Sequence, residues 1–448
     1  MPYTLIIRLI YQFFKIGDRM EIKRNKYLNE LIRRKENGLI KVVTGIRRSG
    51  KSYLLFNIYR DYLIQTGINE KNIITVPLDD YEFSELCDPG KLYKYIQDRI
   101  TENDQTYYIF IDEAQYAISK AELKNPDSPI RLYGVLNGLL RRKNTDIYIT
   151  GSNSRFLSSD ILTEFRGRGD EVHIAPLSFS EYFPVSGKDK YDSWKDYLVY
   201  GGLPHILAEP DEKSKSAYLE QLNNEIYLKD IVERHEIRDE AGMDALMKVL
   251  ASSIGSLTNP QKIADTFNSA GIKGITMPTI SKYLIYLQES FIIQKSERYD
   301  VKGRRYIGTP SKYYYTDSGL RNALLNFRQY EESHLMENAI YNELIYRGFH
   351  VDVGVVETRS LSEGKNTRKQ LEVDFVVNKG SERYYIQSAL ALPTQEKIDQ
   401  EQASLIKIPD SFKKLIITSG NTPVWRNEQG ITFIGLFDFL LNENSLMF

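Results

Sequence analysis

Residues 39 to 65 constrain this chain more than any other stretch. Leu39 to Thr44 (LIKVVT) is a short β-branched apolar run, the pattern of a strand buried on both faces. It runs into Gly45-Ile46-Arg47-Arg48-Ser49-Gly50-Lys51-Ser52, which fits G-x-x-x-x-G-K-[ST], and a helical pattern follows from about Lys51 to Gln65. Strand, Gly-rich turn and helix in that order make a phosphate loop. Gly45 and Gly50 permit a tight turn and close backbone approach, and the backbone N–H groups and helix amino terminus hold an anion. Lys51 is expected to reach the β/γ-phosphates, and the Ser52 hydroxyl to bind Mg²⁺. The competing reading is a chance Gly-rich turn, which the strand–turn–helix context argues against.

Four further strands are expected: Ile73 to Pro77, Tyr107 to Ile111, Asp146 to Thr150 and Glu171 to Ala175. A helix from Arg131 to Arg142 places Leu132, Val135, Leu136, Leu139 and Leu140 on one face. Strands alternating with helices predict an α/β fold with a parallel sheet covered on both faces. The strand YYIFI ends in Asp112-Glu113. Asp112 is expected to hold Mg²⁺ through water, and Glu113 to orient or deprotonate an attacking water. The competing reading is a solvated acidic loop. Asp146 to Thr150 leads into Gly151-Ser152-Asn153, where Ser152 or Asn153, ahead of Thr150, is the candidate to sense a γ-phosphate. A helix cap explains the same residues. Arg166 or Arg168 is a candidate to neutralise transition-state charge in cis or from a neighbouring subunit; a structural ion pair competes.

A chain of 448 residues has room for two to four domains with full cores. One cysteine, Cys87, excludes a disulfide framework and fits a reducing cytosol, and five His make a His-built metal centre a poor reading. Lys and Arg number 59 against 60 Asp and Glu, which excludes a polycation but hides local asymmetry. Thr4 to Phe14 is apolar but too short to span a bilayer and lacks a cleavage site, so no membrane is expected. Residues 1–19 read as an extension ahead of a natural start at Met20. An ATPase-like unit is expected over 20–176, a helical lid or linker over 177–242, a winged-helix unit over 243–330 and a further α/β unit over 331–448.

The stretches TGIRRSGKS, IDEAQ, TGSNS, RGRGDEVHIAPLSFSEYF and YGGLP (200–204) together resemble a family of bacterial and archaeal AAA-type ATPases carrying a C-terminal domain of unknown function. The resemblance covers about residues 20 to 448. It implies an additional-strand P-loop fold, ATP and Mg²⁺, a winged-helix unit, and a C-terminal domain like PD-(D/E)-x-K nucleases. It also favours Arg168 over Arg166.

The winged-helix candidate begins helices near Asn259 and Met277, and residues 295–312 would form the wing. Residues 256–315 carry nine Lys/Arg against four Asp/Glu. Lys302, Arg304 and Arg305 suit a phosphate backbone, so DNA is one candidate partner, and a protein client, or packing within the chain, the other. Arg33, Arg34 and Lys35 would add to such a surface. In the C-terminal unit Asp374 occupies a metal-ligand position, but Gln387-Ser388-Ala389 stands where the pattern wants (Asp/Glu)-x-Lys. Glu337 would complete the remnant, and an inactive scaffold is expected. The leading function is an Mg²⁺-dependent ATPase acting on nucleic acid or protein, with a homo-oligomer compatible. Alternatives are a nucleotide-gated binding protein with negligible turnover and, third, an ATP-controlled nuclease.

Overall fold

The computed structural model describes residues 22–447 apart from 103, 120, 123–128, 152–168, 272–274 and 363–364. The segment 1–19 and the candidates Ser152, Asn153, Arg166 and Arg168 therefore lie outside the described residues.

The first sheet contains β1 (Ile40–Thr44), β2 (Ile73–Pro77), β3 (Tyr107–Asp112), β4 (Thr145–Thr150) and β5 (Gly169–His173), in the order β2-β3-β4-β1-β5. Every pairing is parallel. β4 lies between β1 and β3, so the strand feeding the phosphate loop and the strand ending in Asp112 are separated by one strand. All five residues of β1 are buried, which is why the run is apolar without alternation. The exception in type is Lys41, fully buried and paired with Asp146 on β4. Tyr148 donates a 2.8 Å hydrogen bond to the same carboxylate, so this buried charge is compensated.

Helices follow from Phe179 to Ser252. The break after helix Lys190–Tyr200 is the Gly201-Gly202-Leu203-Pro204 segment. Gly201 has φ +78, and a Cβ there would lie 2.1 Å from Asp317 Oδ1. Asp317 accepts hydrogen bonds from Gly202 N (2.7 Å) and Leu320 N (3.1 Å), so one buried carboxylate caps helix Ser318–Leu324 and holds the glycine turn. The glycines are thus explained by close backbone approach.

Three helices, Glu240–Ser252, Pro260–Ser269 and Met277–Glu289, precede strands β7 (Ile293–Asp300) and β8 (Arg305–Tyr315), with the short β6 (Leu257–Thr258) pairing β8. The remaining strands are β9 (His350–Ser362), β10 (Lys365–Lys379), β11 (Glu382–Ala389), β12 (Lys413–Thr418), β13 (Trp425–Arg426) and β14 (Ile431–Gly435). They join β6–β8 in one mixed sheet ordered β13-β14-β12-β11-β10-β9-β7-β8-β6. β7 pairs β9 in parallel through Arg298–Val353, Tyr299–Gly354 and Asp300–Val355, so hydrogen bonding crosses residue 331. Helix Glu332–Tyr346 packs on this sheet with Tyr341 stacked on Tyr314 of β8 at 4.1 Å. No described helix is long and apolar enough to cross a membrane.

Candidate nucleotide site

The site forms at the carboxyl ends of β1, β3 and β4. Gly45 leaves β1 with φ +139, and a Cβ there would lie 2.2 Å from the Ile174 carbonyl oxygen, so the loop can turn only at glycine. Ile46 is fully buried in the apolar core of the helical region with Leu203, Ile206 and Tyr227. Tyr227 donates a 2.9 Å hydrogen bond to the Arg47 carbonyl, and Asp230 lies 3.7 Å from the Arg47 guanidinium. The phosphate loop is thus gripped from outside its own sheet. Arg48 is exposed with φ +66. Ser49 Oγ is buried with no hydrogen-bond partner among the described residues.

Lys51 opens the following helix, which continues as a π segment over Leu54–Tyr59 and then Arg60–Gln65. Its ammonium donates to the Gly45 and Ile46 carbonyls, both at 3.0 Å. Burial holds the Lys51 pKa below its ordinary value, opposed by Glu113 and Asp112. A lysine desolvated and folded onto its own loop gains from an anionic ligand at that place.

Asp112 ends β3 almost fully buried. The hydroxyls of Thr150 and Ser52 hydrogen-bond its carboxylate. Burial first, and then Glu113, push its pKa up to about 6. Asp79, just beyond β2, is also raised, by burial and then by Glu113. Glu113 has φ +48, and its N–H donates to Thr150 Oγ1 at 2.9 Å. Gln115 donates to its carboxylate. Thr150, the least favoured of the strand-end candidates, is therefore the residue that ties Asp112 to Glu113. Ser152, ranked above it, lies outside the described residues.

These residues suit a divalent cation and a polyphosphate. Glu113 and Asp79 add to burial in raising the pKa of Asp112, Ser52 and Asp112 meet, and the buried Ser49 hydroxyl and Lys51 ammonium sit in the turn. Asp79, Tyr227 and Asp230 were not singled out for this role by sequence, and Thr150 only as a lesser candidate. The Leu78-Asp79-Asp80 run at the end of the strand IITVP was the available signal for Asp79. Tyr227 and Asp230 come from a distant helix and carry none.

On the far side of β1, Thr44 Oγ1 donates to Glu171 (2.6 Å) and meets His173 Nδ1 at 3.1 Å. Burial and then nearby Lys51 lower the His173 pKa to about 4, so its ring is neutral where it meets Phe291 at 4.7 Å.

The sheet order and loop define an AAA-type P-loop fold, and residues 37–183 match an AAA domain. Residues 191–331 match a domain of unknown function (DUF8612). An uncharacterized protein of Haemophilus influenzae is 33% identical over 425 residues, covering 94% of this chain and 98% of that protein. An uncharacterized protein of Methanocaldococcus jannaschii is 30% identical over 380 residues, covering 81% and 78%. The chain belongs to the family of these proteins, AAA-domain proteins with a long region after the AAA unit. Among solved structures it is similar to Aeropyrum pernix ORC1 in complex with DNA, at 14% identity, 69% of this chain, 93% of that chain and a TM-score of 0.29. It is similar to AMPPCP-bound DnaA from Aquifex aeolicus at 14% identity, 61% of this chain, 89% of that chain and a TM-score of 0.28. Likenesses at these scores carry no argument about activity.

Proposed function

We propose that this chain is an Mg²⁺-dependent ATPase. The observation that carries this is the convergence of Lys51, Ser52, Asp112, Glu113 and Thr150 at one end of β1, β3 and β4. The backbone of Gly45 to Ser52 and the Lys51 ammonium would hold the β/γ-phosphates. Ser52 and Asp112 would hold Mg²⁺, which neutralises charge developing on the phosphoryl oxygens when bound. Glu113 would orient or deprotonate the attacking water, held in position by Thr150 and Gln115. Ser152, from its place just past the end of β4, is proposed to sense the γ-phosphate, and Arg168, which the family resemblance favours, to neutralise transition-state charge.

The action on a partner is assigned to residues 177–330, because Tyr227 and Asp230 touch the phosphate loop directly. Nucleic acid is the partner favoured by the exposed hairpin tip between β7 and β8, where Lys302, Arg304 and Arg305 flank Tyr306. Arg34 and Lys35 do not extend this surface freely, since Arg34 pairs with Asp170 and Glu30 and Lys35 with Glu36.

The test is nucleotide titration and multiple-turnover phosphate release. Lys51→Ala should lose ATP binding while keeping its fold. Glu113→Gln should bind ATP and turn over at least about tenfold more slowly. Undiminished ATP affinity in folded Lys51→Ala, or wild-type turnover in Glu113→Gln, refutes the assignment.

A further inference from the structure

The C-terminal unit does not fit the metal centre that its nuclease-like pattern implies. Asp374 is on β10 and Glu337 on helix Glu332–Tyr346, and both are largely buried. Gln387, in the second acid's position on β11, turns its amide oxygen onto the Asp374 N–H at 3.3 Å rather than toward the other carboxylates. Ala389 is buried in an apolar cluster. Asp374 itself accepts the Ser388 N–H at 2.8 Å. Among the described residues no group of three or more His, Cys, Asp or Glu side chains is arranged to hold a metal ion.

What the carboxylates surround is an ammonium. Lys312, on β8 before the C-terminal unit begins, is 3% exposed. Its Nζ lies 2.9 Å from Glu337, 2.7 Å from Glu372 and 4.0 Å from Asp374. Tyr314, two residues on and facing the same way along the strand, donates to Glu337 at 2.7 Å. Burial disfavours the charged lysine, but the three carboxylates outweigh it and hold the Lys312 pKa above its ordinary value. Asp374 is pushed the opposite way from a metal ligand, upward, by burial and by Glu337. A buried single charge among several carboxylates is a compensated arrangement, and removing it strands the others.

We infer that Lys312 occupies the cation position of this carboxylate cluster, so that the site is closed to divalent metal and serves instead to fasten the hairpin β7–β8 to helix Glu332–Tyr346 and β10. Metal-dependent phosphodiester cleavage at this place would need two changes: removal of the ammonium, and an activated water where Gln387 and Ala389 now stand. The inference is independent of the ATP site, which lies on the other sheet.

The test uses full-length, nucleotide-free protein and Mn²⁺ as the probe, with bound metal counted by the resonance of free Mn²⁺. Wild type and Asp374→Asn should bind equal Mn²⁺. Lys312→Met keeps the length of the side chain and removes its charge. It should melt about 6–15 °C below wild type, as expected for a buried cluster losing its one cation. Millimolar Mn²⁺ should restore much of that loss and add one bound metal per chain, and Lys312→Met with Asp374→Asn should show neither gain. Mn²⁺ held by wild type and lost in Asp374→Asn overturns the inference, as does a folded Lys312→Met that melts like wild type. If Lys312→Met does not fold, the wild-type and Asp374→Asn comparison still decides whether the site takes metal.

Discussion

Thr150→Val removes one hydroxyl and keeps the side-chain shape. In the wild type that hydroxyl donates to Asp112 and accepts the Glu113 N–H at 2.9 Å. A hydrogen bond to a carboxylate contributes about 1.5–3 kcal/mol, and a buried N–H left without an acceptor costs about 1–3 kcal/mol. Because one atom makes both bonds, the two do not simply add, and a loss of about 2–4 kcal/mol is expected. It should appear as an earlier urea transition of the nucleotide-free protein. Glu113 sits at φ +48, a conformation held by its neighbours, so freeing its N–H shifts the carboxylate as well. Misplacement of a water-positioning group by up to about 1 Å lowers turnover by roughly 10–100-fold. ATP affinity without Mg²⁺ should stay within about threefold, since the Thr150 hydroxyl bonds Asp112 and Glu113 rather than the groups proposed to hold the phosphates. Thr150→Ser keeps the hydroxyl and should restore turnover to within about threefold of wild type. Wild-type urea stability together with wild-type turnover in Thr150→Val would refute this linkage of Asp112 and Glu113.

Three further outcomes follow from the geometry. Asp112 titrates near 6 in the folded protein against 3.8 as its ordinary value, so between those values the folded state binds more protons. Stability of the nucleotide-free protein should fall as pH rises through that window, and Mg²⁺·ATP affinity should rise by up to about tenfold per pH unit below 6 and level off above it. Calorimetry at several pH values checks this, and Asp112→Asn should flatten the profile. Gly201→Ala places a Cβ 2.1 Å from Asp317 at φ +78, and should cost about 2–4 kcal/mol in denaturation, more than Gly187→Ala in an open turn. Lys302, Arg304 and Arg305 together changed to Ala should weaken DNA binding across all sequences and flatten its salt dependence. No binding by wild type at low salt would leave protein as the partner.

The first sheet was legible in the sequence nearly strand by strand. Its expected strands match the observed ones to within two residues at either end. The inner strands β1, β3 and β4 are runs buried almost throughout, the edge strands β2 and β5 only in part, and each is a short run whose pattern is local. The parallel pairing of β7 with β9 was not legible, because it joins Arg298 to Val353 through tertiary packing with no repeating pattern to announce it. The site divides likewise. Lys51, Ser52, Asp112 and Glu113 sit in contiguous motifs. Asp79, Tyr227, Asp230 and Lys312 act on residues far away in the chain, and in the sequence Lys312 is only one of nine basic residues over 256–315. Its burial among carboxylates sets it apart. Thr150, the last residue of its strand, meets Asp112 across β3 and β4, while Ser152 lies outside the described residues.

Strand ladders resist rotation more than side-chain contacts resist sliding. Turning the β7–β8 hairpin against the strands that follow it would break main-chain hydrogen bonds between β7 and β9 and strip the edge of a 13-residue strand. Shearing both together against the first sheet would instead displace side-chain contacts such as Phe291 on His173 and Tyr346 on Tyr27. Tyr227, which with Asp230 grips the phosphate loop, shares an apolar core with Tyr313 and Tyr315 of β8, so any change in that grip bears on a sheet that runs unbroken from β6 to β13.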